Sequence, residues 1–198
     1  MESTTSHIEA EVKFEAPGPS ALTQMPKVLD DLGLSVLDSG HRILLDRYFD
    51  TSSRAIQATG WALRFRAGEA EDGKLLRTLK ELAPGDSHGI SQREERERWV
   101  ENPDKEWEGK TLVESFKIFQ DRWWWRACNS HCEVEVSYDL VQWRKNLGGK
   151  TLCDEAFAIE IELRDGKPIN LTDIAMQFAE STGWPPAQWS KFSRGLDL

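Results

Sequence analysis

Ionic side chains recur at every second position in stretch after stretch of this chain, a spacing that lines them along one face of a strand. The rows are Glu9/Glu11/Lys13, Arg64/Arg66, Thr78/Lys80, Arg93/Glu95/Glu97, Arg122/Arg126, Glu133/Glu135/Asp139 and Glu160/Glu162. Carboxylate oxygens are the hard ligands that Mg²⁺ and Mn²⁺ prefer, while Arg forks and Lys point charges hold phosphate oxygens. Several cations in a line suit a chain of phosphates. Such rows allow two arrangements: an open sheet with its charges in water, or a closed barrel with its charges inside. Unpaired charge in a narrow cavity is costly, so the inward arrangement implies a metal and an anion that bridge the two signs.

The opposing faces indicate which elements carry these rows. Ile8, Ala10, Val12 and Phe14 oppose the first row, and Trp61, Leu63 and Phe65 oppose Arg64/Arg66. Cys132, Val134, Val136 and Tyr138 oppose the Glu133 row, and Ile159, Ile161 and Leu163 oppose Glu160/Glu162. The stretch Ser91 to Val100 is charged on both faces, which predicts a strand with a solvated outer side. Leu22, Met25, Val28, Leu29 and Leu32 recur at helical spacing up to Gly33, predicting a packing helix. Leu34 to Leu37 reads as a short apolar segment separate from a strand over Ile43 to Phe49, and Arg54 to Thr59 as a small connecting loop or turn. Gly68 to Gly73 reads as a hairpin turn, Pro84-Gly85-Asp86 as a break, and Asn102 to Lys110 as a polar loop. Leu112, Val113, Phe116 and Phe119 predict a short helix over Thr111 to Phe119, and then a strand over Asp121 to Cys128. A helix comes after Leu171-Thr172, capped by Thr172 or Asn170, with Ile174, Phe178 and Ala179 inward. It stops at Gly183, and Pro185-Pro186 predicts a non-helical C-terminal segment.

The bulk numbers narrow the function class. A chain of 198 residues with net charge -9 is long enough for one sizeable core and is a poor general nucleic-acid binder, since that affinity needs a basic surface. A local basic pocket for a small anion remains compatible with that balance. No apolar run reaches membrane-spanning length and no signal peptide opens the chain, which predicts a cytoplasmic protein. Cys128, Cys132 and Cys153 fit no paired metal spacing and read as reduced, buried thiols. His7, His41, His88 and His131 form no spaced ligand cluster. Lys110 and Thr111 come after Gly109 without the preceding spacing of a phosphate-binding loop.

Taken in order, Glu9-x-Glu11-x-Lys13, Tyr48-Phe49-Asp50-Thr51, Leu63-Arg64-Phe65-Arg66, Lys80, Arg93-x-Glu95-x-Glu97, Arg122, Asp139, Ile159-Glu160-Ile161-Glu162-Leu163 and Ser190-Lys191-Phe192-Ser193-Arg194 resemble the CYTH superfamily, the triphosphate tunnel metalloenzymes. The resemblance implies an α+β fold, a closed eight-stranded antiparallel β-barrel (tunnel) with helices packed outside, as a single domain over residues 1–198. It implies that Glu9, Glu11, Asp139, Glu160 and Glu162 ligate Mg²⁺ or Mn²⁺, and that Lys13, Arg64, Arg66, Lys80, Arg122 and Lys191 hold phosphates. Lys13 and Tyr48 match positions proposed to act together in thiamine triphosphatase, and Glu9 or Glu11 would orient the attacking water. The implied activity is metal-dependent hydrolysis of inorganic triphosphate to pyrophosphate and phosphate. The alternatives are a thiamine triphosphatase, a class IV-type adenylyl cyclase, and a non-catalytic module that binds polyphosphate or nucleotide. A binding module has no need of the Glu9/Glu11/Glu160/Glu162 set, which favours catalysis. The expected partner is a small-molecule triphosphate, with no nucleic acid and no membrane, and the chain is expected as a monomer or homodimer. The roles of Glu95, Glu97, Glu133, Glu135 and Arg194 stay open.

Overall fold

The computed structural model describes residues 4–70, 72–82 and 90–198. The alternating stretches form β1 (Thr5–Glu15), β3 (Trp61–Ala67), β4 (Leu75–Glu81) and β5 (Ile90–Val100). The longer strands β2 (Ser35–Thr51), β7 (Lys110–Cys128), β8 (Glu133–Leu147) and β9 (Lys150–Asp165) complete the wall, and β6 (Glu106–Trp107) is a two-residue addition on β7. Neighbours run β2-β3-β4-β5-β1-β9-β8-β7, and β7 pairs back onto β2. That last pairing closes an eight-stranded antiparallel barrel, and closure removes the free edges that an open sheet would expose.

Closure gives each strand an inner and an outer face, and hydrophobicity decides what covers the outer one. Ala10, Val12 and Phe14 of β1, Val134 and Val136 of β8 and Ile159 and Ile161 of β9 are buried outward against two helices, α1 (Ser20–Asp31) and α3 (Pro168–Thr182). Met25 and Leu29 of α1 and Ile174 and Phe178 of α3 supply the facing side chains. A smaller outer cluster packs Ile56 of the one-turn helix α2 (Ala55–Ala58) on Leu63, Phe65, Leu79 and Leu112. Asp50 caps that turn, accepting from the backbone of Ile56 at 2.9 Å and Gln57 at 3.0 Å. The inner face carries the ionic rows, and toward one end it turns apolar. There Tyr48, Ala62, Phe116, Ile118, Val141 and Trp143 meet Phe192 and Leu196 of a C-terminal helix, α4 (Lys191–Asp197).

Several expectations need correction. Thr111 to Phe119 is part of β7 and not a helix: a bulge facing Tyr48/Phe49 shifts the strand's phase within this stretch. Leu112 then packs outward and Phe116 inward, which hid the period-two pattern. Leu34 to Leu37 and Ile43 to Phe49 do not belong to separate elements, because β2 runs unbroken from Ser35 to Thr51 against β7. Arg54 to Thr59 does make a turn, that of α2, whereas the polar loop over 102–110 contains β6. The helix expected after Leu171-Thr172, α3, begins already at Pro168, with Asn170 accepting from the Lys167 backbone at 3.0 Å. Beyond Pro185-Pro186 the chain does turn helical, because Ser190 caps α4 by accepting from the Ser193 backbone at 2.9 Å. Cys132 is buried, whereas Cys128 is half-buried and Cys153 exposed. The Pro84-Gly85-Asp86 break, His88, and Glu71 of the expected hairpin turn lie outside the described residues.

Candidate functional site

Inside the barrel, a cavity of about 190 Å³ is lined by Lys13, Arg64, Arg66, Lys80, Arg122 and Lys191 together with Glu9, Glu11, Glu160 and Glu162. Every cation and all but one of the acids expected at a site therefore share one chamber. Strand pairing explains the convergence. Glu11 lies opposite Glu162 and Lys13 opposite Glu160 in the β1–β9 ladder, while Arg64 faces Thr78 and Lys80 faces Glu95 across β3–β4 and β4–β5.

At the inner end of the chamber, the cations converge on two acids. Arg122 forks onto Asp139 at 2.7 and 2.6 Å and reaches Glu160 at 2.6 Å. Lys191, delivered by the first residue of α4, sits 2.7 Å from Asp139 and 2.9 Å from Glu160. Lys13 holds the other Glu160 oxygen at 2.7 Å. Burial pushes the Glu160 carboxyl up, but Lys13, Lys191 and Arg122 outweigh it and hold the group well below the ordinary carboxylate range. The same balance, struck by Arg122 and Lys191, keeps Asp139 ionised. Burial dominates at Lys191 and brings its ammonium down to about 8. Asp139 is fully buried and engaged by both cations, so it stands behind Arg122 and Lys191 and not on the cavity wall.

Further along, Lys80 bridges Glu9 and Glu95, and Arg93 bridges Glu9 and Glu11. Arg66 forks onto Asp46 at 2.7 and 2.9 Å, and Arg64 lies 3.8 Å from the same carboxylate. The Arg64 Nε is buried without a hydrogen-bond partner, a donor left for an anion. Glu162 differs from its neighbours: burial raises its carboxyl to about 7, and the like charges of Glu9 and Glu135 add to that against Arg164. Acids crowded until one resists ionisation are a site that a divalent cation would relieve, and their all-oxygen donors suit Mg²⁺ or Mn²⁺.

Tyr48 lines the apolar end of the chamber, stacked on Phe116 at 4.6 Å between ring centres. Burial raises its hydroxyl above the ordinary phenol value, so it stays protonated near neutral pH. Glu95, Glu97 and Glu135 also line the cavity, whereas Glu133 lies near the strand end beside Arg126 at 3.4 Å. Arg194 is outside, clamped between Trp143 and Trp189 with Asp154 at 2.5 Å. Sequence reasoning missed Asp46, although it stands two residues before Tyr48 and so on the same strand face. It also gave no role to Arg93, Arg42 or Arg164, which line the cavity, and spacing along the chain does not show that His7 groups in space with Glu95 and Glu97.

The family model described as CYTH domain matches residues 7–194. No curated protein matches the chain in sequence. Among solved structures, the chain is similar to HpAC1 from Hippeastrum, a proposed adenylyl cyclase described as revealing a dominant triphosphatase activity. The TM-score is 0.64 at 20% identity, covering 96% of this chain and 95% of that one. It is also similar to a proposed adenylate cyclase from Bacillus halodurans, with TM-score 0.61, 15% identity and coverage of 96% and 97%. The RNA triphosphatase domain of a mimivirus mRNA capping enzyme superposes with TM-score 0.51 at 11% identity, covering 86% and 88%. At these identities the likeness speaks for the fold.

Proposed function

This chain belongs to the CYTH domain family, and from that membership we propose that it is a divalent-metal-dependent triphosphatase, cleaving inorganic triphosphate to pyrophosphate and phosphate. The observation that carries the reading is the single chamber in which Lys13, Arg64, Arg66, Lys80, Arg122 and Lys191 face Glu9, Glu11, Glu160 and Glu162. Phosphoryl transfer asks mainly for positioning and neutralisation of charge. The cations grip the phosphate chain, exchanging carboxylate partners for phosphoryl oxygens, and the carboxylates of Glu9, Glu11, Glu160 and Glu162 would be the ones to hold a divalent metal ion. When bound, that ion neutralises charge on the phosphoryl group and makes attacking water more acidic. Glu9 or Glu11 orients the water. Asp139 acts through Arg122 and Lys191, fixing both cations. Tyr48, which lines the same chamber as Lys13, works as a hydrogen-bond donor and not as a base, because its hydroxyl keeps its proton.

The test is phosphate release from inorganic triphosphate, thiamine triphosphate, ATP and pyrophosphate, each with Mg²⁺ or Mn²⁺ and with chelator. Inorganic triphosphate is expected to be cleaved fastest and only with metal. Losing a ligand costs at least the roughly 10–100-fold seen for outer-shell partners, so Glu11→Ala and Glu162→Gln are both expected to fall by that much or more. Full activity in Glu11→Ala removes Glu11 from the mechanism, and full activity with chelator removes the metal.

A further inference from the structure

The mouth of the chamber holds a second set of metal-type ligands that the proposed reaction leaves unused. His7 lies directly opposite Glu95 in the β1–β5 ladder, and side chains so opposed share a face with Cβ atoms about 5 Å apart. Glu97, two residues on, falls on that same face. All three line the cavity, and one ligand atom from each lies within 4.8 Å of the other two. Backbone register, and not one side-chain rotamer, therefore brings them together. Glu95 is only 3% exposed, and its Oε1 meets Lys80 as an ion pair. Glu97 accepts from the Thr78 hydroxyl at 2.9 Å, with Arg64 at 3.9 Å.

We propose that His7, Glu95 and Glu97 form a separate cation site at the chamber mouth, selective for a borderline divalent ion such as Zn²⁺ over Mg²⁺. An imidazole nitrogen suits zinc and its neighbours in the first transition row, whereas all-oxygen sets suit Mg²⁺. Zinc ligands stand about 2.0–2.2 Å from the ion, so any two of them lie about 4 Å apart or less. Small side-chain rotations bring the three atoms within that limit. Two carboxylates cancel the charge of the ion, and three protein ligands leave a coordination position open toward the cavity.

The proposal does not depend on which substrate the chamber hydrolyses, and its test reads binding. The full chain is titrated with Zn²⁺ alone by calorimetry in buffer holding excess Mg²⁺, which occupies the all-carboxylate wall. One equivalent of Zn²⁺ is expected to bind. His7→Ala, at an exposed position that the fold tolerates, is expected to weaken it tenfold or more, and Glu97→Gln to do the same, while Glu162→Gln leaves it in place. Unchanged affinity in His7→Ala, or no Zn²⁺ equivalent in the unaltered protein, overturns the proposal. Loss of that equivalent in Glu162→Gln but not in His7→Ala also overturns it, because the ion then belongs to the carboxylate wall.

Discussion

Asp46 shows how much of this interior rests on single residues that carry no motif. It is 0% exposed, receives the Arg66 fork, accepts from Gln120 at 2.7 Å and lies 3.8 Å from Arg64. Burial alone would raise its carboxyl, but Arg66 and Arg64 overcome it and drive the group far below the ordinary aspartate value. Removing one partner of such a buried pair costs about 3–5 kcal/mol because the other charge is left uncompensated. Asp46→Asn is therefore expected to lose roughly that much stability in urea unfolding at neutral pH. A depressed folded value means that this contribution is complete above the unfolded aspartate value near 4 and is lost as pH falls toward the folded one. The gap between the original protein and Asp46→Asn should thus close on acidification through that window. A constant gap at all pH values would mean that Asp46 stabilises by packing and not by charge. Tyr48 illustrates the converse: its place in a recognisable motif was legible, but its surroundings of Phe116 and Phe192 depend on β7 and α4.

Among the elements, α4 links the barrel's apolar end to its charged chamber. Lys191 opens this helix and reaches into the chamber, while its carbonyl accepts from Trp143 Nε1 at 2.8 Å. Gly195 packs so closely on Phe116 that an added Cβ would meet the ring at 2.2 Å. Overpacking of that kind costs about 1–3 kcal/mol. Gly195→Ala is expected to destabilise by that amount and to shift α4, carrying Lys191 away from Asp139 and Glu160. Steady-state kinetics with inorganic triphosphate should then show a raised KM; an unaltered KM despite lost stability would separate the helix from substrate binding. Arg194 gives a second handle on the same helix. Its cation–π contacts are worth about 0.5–2 kcal/mol each and its part-exposed ion pair about 0–1 kcal/mol. Arg194→Ala is expected to lower stability by roughly 1–5 kcal/mol in urea unfolding, the sum of these contributions. A loss far outside that range would mean that Arg194 does not act through the Trp143 and Trp189 stack.

Across the whole molecule, cations and acids neutralise one another within a closed wall, so a polyanion that displaces the carboxylates should tie many strands together at once. A ligand that binds only the folded state at about a hundred times its Kd adds about 2.7 kcal/mol. Inorganic triphosphate is accordingly expected to raise Tm, and to do so less in Lys80→Ala; an equal rise from NaCl at matched ionic strength would mean general screening and no site. The local terms were already set in the amino-acid sequence. Alternation fixed which side chains share a strand face, helical spacing marked α1 and α3, and the ordered motifs pointed to the barrel and to the cations and acids of its chamber. Period-two and period-3.6 patterns are set by neighbours along the chain, so they are readable without a fold. It took the folded barrel to make Thr111 to Phe119 a strand, to plug one end with α4, to bring Asp46 and Arg93 into the ion network, and to set His7 against Glu95 and Glu97. Those outcomes rest on ladder register, a bulge and barrel closure between segments far apart in the chain, where no local spacing carries the information.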